Sequence, residues 1–293
     1  MDGAVAWQCR SLKNYCVGII FRNGDQMTIF QSFLLGILQG LTEFIPISST
    51  AHLLIGQKLL GIPASDTMFS FLILVELGTI LSLIIYFWKD LVSLIRAFFA
   101  IPFSTPENKL GWYIIIATIP ALIFGYLLKS VVETLFKSPL LEAAIRLLLT
   151  AIILTLAEWL GKRNRTLEKM TWLDALFVGI AQVIAVIPGA SRSGTTISGG
   201  MALGFDRKSS AKFAFLMSIP VMLAASGYQS LDLLKMPGVS AFLPVLAVGF
   251  AAAAFIGWLT IKWLLDYLNK NSLYAFAIYC AVVGAICLIF SLI

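Results

Sequence analysis

Apolar residues run through this chain in long blocks rather than in the alternation of a half-buried strand. Six blocks, roughly 68–88, 111–129, 140–160, 211–230, 241–265 and 273–293, are long and sparsely charged enough to cross a bilayer as helices. Two further stretches, about 30–60 and 173–204, are equally apolar at their ends but are broken in the middle by proline, glycine and hydroxyl residues. Broken backbone is tolerated in hydrocarbon only where it faces protein or a cavity. Each stretch therefore reads as a helical hairpin that enters the membrane and leaves by the same face, the alternative being two ordinary kinked spans.

The two broken stretches repeat one another. Gly179-Ile180-Ala181-Gln182 follows Gly36-Ile37-Leu38-Gln39 by 143 positions, and Ser191 follows Ser48 by the same offset. Phe69-x-Phe71-Leu72 is echoed at Phe213-x-Phe215-Leu216 with a one-residue slip. If the hairpins do not cross, three spans follow each of them, and an odd number of crossings turns the second unit over. The fold class predicted is an all-α polytopic membrane protein: six transmembrane helices plus two re-entrant helical hairpins in an inverted-topology repeat. It forms a single membrane domain over 27–293, divided into repeats at about 27–165 and 166–293.

Composition agrees with this class. Hydrophobic residues make up 59% of the chain, charged residues 12%, and the mean hydropathy is +0.93, which excludes an ordinary soluble domain. Basic residues then set the orientation. Lys89, Arg96, Lys109, Lys162, Arg163, Arg165, Lys169, Arg207, Lys208, Lys212, Lys262 and Lys270 fall on one side, against Lys58, Lys129, Lys137 and Lys235 on the other. Lysine and arginine in short loops are retained in the cytoplasm, so the first hairpin opens outward, the second inward, and the C-terminus lies outside. The net charge of +6 is accounted for by loops lying against anionic membrane lipid, with no nucleic acid partner.

Residues 1–26 stand apart as an N-terminal extension, either a disordered tail or an over-long start. Their one apolar run, from Tyr15 to Phe21, is too short for a span. Cys9, Cys16, Cys280 and Cys287 form neither a disulfide framework nor a metal-thiolate pattern.

Polar chemistry is concentrated in the two hairpins. Gln39 and Glu43, one helical turn apart, aim a carboxamide oxygen and a carboxylate at one spot, a donor pair suited to a hard divalent cation, Mg²⁺ or Ca²⁺. A carboxylate at membrane depth is costly to keep and points to function. After Pro46 come Ser48, Ser49 and Thr50 at the start of a second helical segment, where backbone N–H groups and hydroxyls suit an anion. His52, the one histidine of the chain, follows on the Ser49 face as a candidate acid or base. In the second hairpin, Pro188-Gly189-Ala190-Ser191-Arg192-Ser193-Gly194-Thr195-Thr196 is a glycine-flanked loop in which Arg192 offers a planar fork of donors for phosphate oxygens. It is not a P-loop. Arg192 must meet either Glu43 across the repeat interface or an anionic ligand. Glu142 and Arg146 read as an i, i+4 pair near the outer end of a span, Glu158 and Asp266 as residues near cytoplasmic ends, and Glu76 as either a support of the site or a structural hydrogen bond.

At Gln39-Gly-Leu-Thr-Glu43-Phe-Ile-Pro46-Ile-Ser48-Ser49-Thr50-Ala-His52 and Pro188-Gly-Ala-Ser191-Arg192-Ser193-Gly194-Thr-Thr196, the sequence resembles the bacterial undecaprenyl-diphosphate phosphatases of the bacitracin-resistance type. The resemblance runs from about Met27 to the C-terminus. It implies a multi-pass enzyme of the bacterial inner membrane that hydrolyses undecaprenyl diphosphate to undecaprenyl phosphate and inorganic phosphate, recycling the carrier for cell-wall synthesis. It further implies a divalent cation, a site opening to the extracytoplasmic side, and homodimers. The family's acidic motif falls on Gln39 and Glu43, the metal positions, with Gln39 the neutral variant of the first. The serine–histidine segment falls on Ser48, Ser49 and His52. The arginine loop falls on Ser191, Arg192, Ser193 and Thr196. The expected mechanism places Glu43, Ser49, His52 and Arg192 at the chemistry, with Ser48, Thr50, Ser191, Ser193, Gly194 and Thr196 holding substrate. The nucleophile is either Ser49, with His52 relaying its proton, or metal-activated water. A secondary transporter or flippase for a lipid phosphate or other anion is the alternative function, because broken helices in inverted repeats also build carriers.

Overall fold

The computed structural model describes residues 27–63, 66–99, 101–127, 139–186, 190–233 and 239–292. The extension at 1–26, Pro188 and Gly189, and Lys129, Lys137 and Lys235 of the charge asymmetry lie outside the described residues. The described chain is helical apart from short connections and one isolated bridge between Arg165 and Phe205.

Thr28 opens α1 (Ile29–Thr42) with a reciprocal capping box to Gln31. The chain turns at Pro46 and continues as α2 (Ser49–Leu59), α3 (Asp66–Tyr86) and α4 (Trp88–Phe98). Proline at the first position, where no amide donor is needed, starts both α5 (Pro106–Leu127) and α6 (Pro139–Leu160). A short 3₁₀ turn, Leu167–Lys169, leads to α7 (Trp172–Val186), α8 (Arg192–Ala202), α9 (Arg207–Leu233), α10 (Val239–Tyr267) and α11 (Tyr274–Leu292). The six predicted spans thus correspond to α3, α5, α6, α9, α10 and α11, and the two broken stretches to the pairs α1–α2 and α7–α8.

Within these helices Leu140–Leu160, Arg207–Gly227, Phe242–Tyr267 and Tyr274–Leu292 are long and apolar enough to cross a membrane. A fifth span results if α3 and α4, bent by 76°, are one broken span. Helix α4 was not expected from the sequence. Its Leu94 is buried in the core while Trp88, Ile95, Lys89 and Arg96 are exposed, the pattern of a helix lying along an interface.

The repeat is visible in the packing. Helix α1 lies along α10 and α7 lies along α5; α10 in turn packs on α3, and α5 on α9. Exchanging the two halves maps each contact onto the other. The glycine that opens both repeated motifs explains why these pairs close up. A Cβ at Gly36 would sit 2.4 Å from the Gly249 carbonyl oxygen, and one at Gly179 2.4 Å from that of Ala117. Only glycine permits backbones to touch this closely, as in membrane helix pairs generally.

Hydrogen bonds tie the ends of each hairpin together. Gln31 Nε2, at the start of α1, donates to the Leu60 carbonyl at the end of α2 over 3.1 Å. Arg165 joins the start of α7 to the end of α8: Nη2 meets Asp174 Oδ2 at 2.6 Å and Nη1 donates to the Leu203 carbonyl at 3.0 Å. The bond to Asp174 raises the Arg165 guanidinium above its ordinary value. Near this second end Arg207 and Arg163 meet the fully buried Glu158 carboxylate at 2.6 and 2.5 Å, and Lys212 meets Asp90 of α4 at 2.6 Å. Arg163, Arg165, Arg207 and Lys212, assigned to one face by sequence, therefore gather at this end of the second hairpin.

Candidate functional site

The two hairpin tips meet beside the middle of α3. In the first, Gln39 lies in the last turn of α1 and Glu43 caps that helix, so both project from one face. Gln39 Nε2 donates to Glu43 Oε2 at 2.9 Å. The chain past Pro46 reaches Ser48 with φ at +68°, a backbone region that a residue with a Cβ seldom adopts and that tends to occur at functional turns. Ser49 then begins α2, and its hydroxyl donates to the same Glu43 Oε2 at 2.7 Å.

Ser191 caps α8 in the second hairpin. Its Oγ accepts from the Gly194 amide at 3.1 Å, and its own amide donates to Thr150 Oγ1 of α6 at 2.9 Å. Arg192, the first residue of α8, is thereby aimed at the other tip. Its Nη2 bonds Glu43 Oε1 and lies 3.4 Å from Glu76 Oε1. Ser226 donates to the second Glu76 oxygen at 3.2 Å. One guanidinium thus joins two carboxylates that are 33 positions apart in the chain and more than 100 from it. Ion pairing and hydrogen bonding offset the cost of placing these groups in apolar surroundings, where an isolated charge would be costly.

Around the cluster is a cavity of about 370 Å³, the size range of a small ligand or headgroup site. Gln39, Glu43, Ser48, Ser49, Thr50, Ser191 and Arg192 line it, as do Glu76, Arg146 and Gln182, and Leu53, Leu54, Leu72 and Val221 supply apolar wall. Four of the expected residues do not line it. His52 turns away: Nδ1 is 2.9 Å from the Ser48 carbonyl, which fixes the proton on that nitrogen in the neutral ring, and Nε2 is 2.8 Å from the Tyr279 hydroxyl. The two rings stack with centroids 5.6 Å apart. Ser193 bonds Ser191 at 3.1 Å and reaches the Ile45 carbonyl at 3.4 Å, while Thr196 Oγ1 returns to the Arg192 carbonyl at 2.8 Å. A Cβ at Gly194 would lie 3.0 Å from that of Ser191. These residues shape the tip that presents Arg192.

Three further lining residues, Glu76, Arg146 and Gln182, take their place at the site from the tertiary structure. Glu76 falls mid-span beside Gly78 and Thr79, where the sequence leaves open a support of the site or a structural hydrogen bond; it contacts Arg192 and Ser226. Arg146 reads from the sequence as half of an i, i+4 pair with Glu142; that pair exists, with Nη2 to Oε1 at 2.6 Å, and the side chain also borders the cavity. Gln182 carried a signal that was available, since it stands at the repeat position of Gln39.

As a cation site the donor set is small. Among the described residues no group of three or more His, Cys, Asp and Glu is arranged to hold a metal. Gln39 Oε1, however, is a buried acceptor without a hydrogen-bond donor, next to the Glu43 carboxylate. That combination fits a hard cation taking most of its oxygens from phosphate and water, as Mg²⁺ usually does.

The family described as "Bacitracin resistance protein BacA" matches residues 32–286. An undecaprenyl-diphosphatase of Chlorobium phaeobacteroides (strain BS1) is 41% identical over 273 residues, covering 88% of this chain and 95% of the relative. The undecaprenyl-diphosphatase of Anaeromyxobacter dehalogenans (strain 2CP-1 / ATCC BAA-258) is 40% identical over 266 residues, covering 88% and 90%. That of Methanobrevibacter smithii (strain ATCC 35061 / DSM 861 / OCM 144 / PS) is 38% identical over 272 residues, covering 89% and 96%.

Proposed function

The chain belongs to the bacitracin resistance protein BacA family, and from that premise we propose that it hydrolyses undecaprenyl diphosphate to undecaprenyl phosphate and inorganic phosphate. The observation that carries this reading is the meeting of Ser49, Glu43 and Arg192 in one cavity between the hairpin tips. An anion carrier needs the arginine but has no use for a hydroxyl held on a carboxylate.

The terminal phosphate of the substrate would replace the carboxylates on Arg192, whose planar fork then stabilises the phosphate oxygens as charge develops in transfer. Glu43 Oε2 then faces the Ser49 hydroxyl, 2.7 Å away, as its proton acceptor. Ser49 Oγ attacks the terminal phosphorus, its proton passes to Glu43, and the bond to the bridging oxygen breaks, releasing the prenyl monophosphate. Water then attacks the phosphoserine and releases inorganic phosphate. The proton path assigned to His52 at the sequence level is replaced here by Glu43, because both ring nitrogens of His52 are engaged by Ser48 and Tyr279. His52 instead holds the Ser48 turn from which Ser49 projects. A divalent cation, Mg²⁺ or Ca²⁺, would be held by Glu43 and the Gln39 carboxamide oxygen and would supply positive charge to the phosphate oxygens.

The same proposal includes six membrane spans and two re-entrant hairpins in inverted repeats, in the bacterial inner membrane with the first hairpin opening outward. Supporting it are the bonds that tie both ends of each helix pair together, the basic residues gathered beside α9 and α4, and Glu76, in mid-α3, contacting Arg192.

The test is a rapidly quenched reaction with terminally labelled prenyl diphosphate. Label should appear on the protein, and Ser49→Ala should remove both label and turnover. Substantial turnover by Ser49→Ala would sink the phosphoserine step in favour of direct attack by water, and no phosphate release by the wild-type protein would favour a carrier.

A further inference from the structure

A diphosphate headgroup brings two phosphates into one cavity, and the site described so far accounts for one. Arg192 is shared by two carboxylates, so it offers an entering anion less than a full positive charge. The second guanidinium in the lining is Arg146. Glu142, which pairs with it at 2.6 Å, lies one turn back on the same helix and is not part of the cavity wall. Two hydrogen bonds fix its position relative to the second hairpin tip: Thr150 Oγ1 donates to the Arg146 carbonyl at 2.7 Å and accepts from the Ser191 amide at 2.9 Å. Arg146 thus stands one helical turn along α6 from Thr150, which holds the Ser191 amide next to Arg192 in the chain.

Gln182 is the third group. It is 1% exposed, it lines the cavity, and neither end of its carboxamide has a hydrogen-bond partner among the described residues. A buried carboxamide left unpaired is destabilising, and a ligand can offset this after a rotation of the side chain. Its counterpart in the first repeat, Gln39, also has an unpaired buried oxygen. Each hairpin therefore presents an unpaired carboxamide oxygen from the same repeat position, one beside carboxylates and the other on a wall shared with an arginine.

We propose that Arg146, with Gln182 and the Ser191 region, forms a second phosphate subsite, which binds the non-transferred phosphate while Arg192 takes the terminal one. The subsite makes the protein select a diphosphate headgroup over a monophosphate. This rests on the phosphatase reading for the identity of the substrate, but the subsite itself is a statement about anion binding.

Inorganic pyrophosphate and orthophosphate are the probes, used as inhibitors of prenyl diphosphate hydrolysis and as ligands in thermal-shift measurements on the full chain in detergent. Arg146→Gln should raise KM for the prenyl diphosphate and weaken pyrophosphate inhibition by tenfold or more, with kcat and orthophosphate inhibition changed less than threefold. Gln182→Leu should move the same two quantities in the same direction by a smaller factor. Glu142→Gln, which breaks the ion pair but keeps the arginine, should leave pyrophosphate at least as potent. Equal weakening of both anions by Arg146→Gln, or an unchanged pyrophosphate constant, would overturn the subsite. So would Glu142→Gln reproducing the Arg146→Gln effect, since the pair would then be structural. If the wild-type protein hydrolyses no prenyl diphosphate, the functional reading fails, while the pyrophosphate-over-orthophosphate preference in the thermal shift still decides the subsite.

Discussion

Glu43 carries the largest share of the site's geometry. Its two oxygens hold Gln39 and Ser49 on one side and Arg192 on the other, so a substitution there would disturb base, ligand and ion pair together. Gln39 separates these roles, because it touches the carboxylate without taking part in proton transfer. Gln39→Glu supplies a second carboxylate to the proposed cation and should lower the Mg²⁺ or Ca²⁺ concentration for half-maximal activity by about tenfold, since added ligand charge tightens such sites. Gln39→Leu should raise it. A cation titration that is the same for both variants and the wild type would remove Gln39 from the metal site.

At the scale of helices, glycine decides which elements can meet. Gly179 brings α7 against α5 at a point where any Cβ would press on the Ala117 backbone, and a carbonyl cannot move aside as a side-chain tip can. Gly179→Leu should therefore destabilise the protein by about 1–3 kcal/mol, as overpacking usually does, and displace the hairpin that carries Arg192. Gly111, also in a helix, has nothing nearer than 3.9 Å to an added Cβ, and Gly111→Ala should be neutral or slightly stabilising through helix propensity. Melting temperatures in detergent compare the two directly; equal behaviour would mean that the α7–α5 contact is looser than described.

Orientation belongs to the whole molecule. The basic end holds Lys162 in an exposed loop, and the exposed Lys58 lies at the end of α2. In a background lacking the native cysteines, Lys58→Cys should react with an impermeant thiol reagent added outside intact cells, and Lys162→Cys should react only after permeabilisation. The reverse pattern would place the first hairpin's opening in the cytoplasm, and with it the path by which a prenyl headgroup reaches the cavity.

Hydropathy and spacing are local properties, and what they govern was legible in the chain itself: the helical class, the two interrupted stretches, their 143-residue repeat, and the Gln39–Glu43 and Glu142–Arg146 pairs that one helical turn creates. The short motifs also located Ser49, Ser191 and Arg192. Tertiary structure decided which distant groups share a space. Arg192 meets Glu43 from 149 positions away and Glu76 from 116, and His52 is claimed by Tyr279 across 227, although Ser49 is its neighbour in sequence. Those pairings follow from which helix faces meet when α1 closes on α10 and α7 on α5, and when α2 and α11 both pack on α6. No local pattern carries that information, because a helix's sequence states which of its faces is polar and the packing of the others determines what that face will touch.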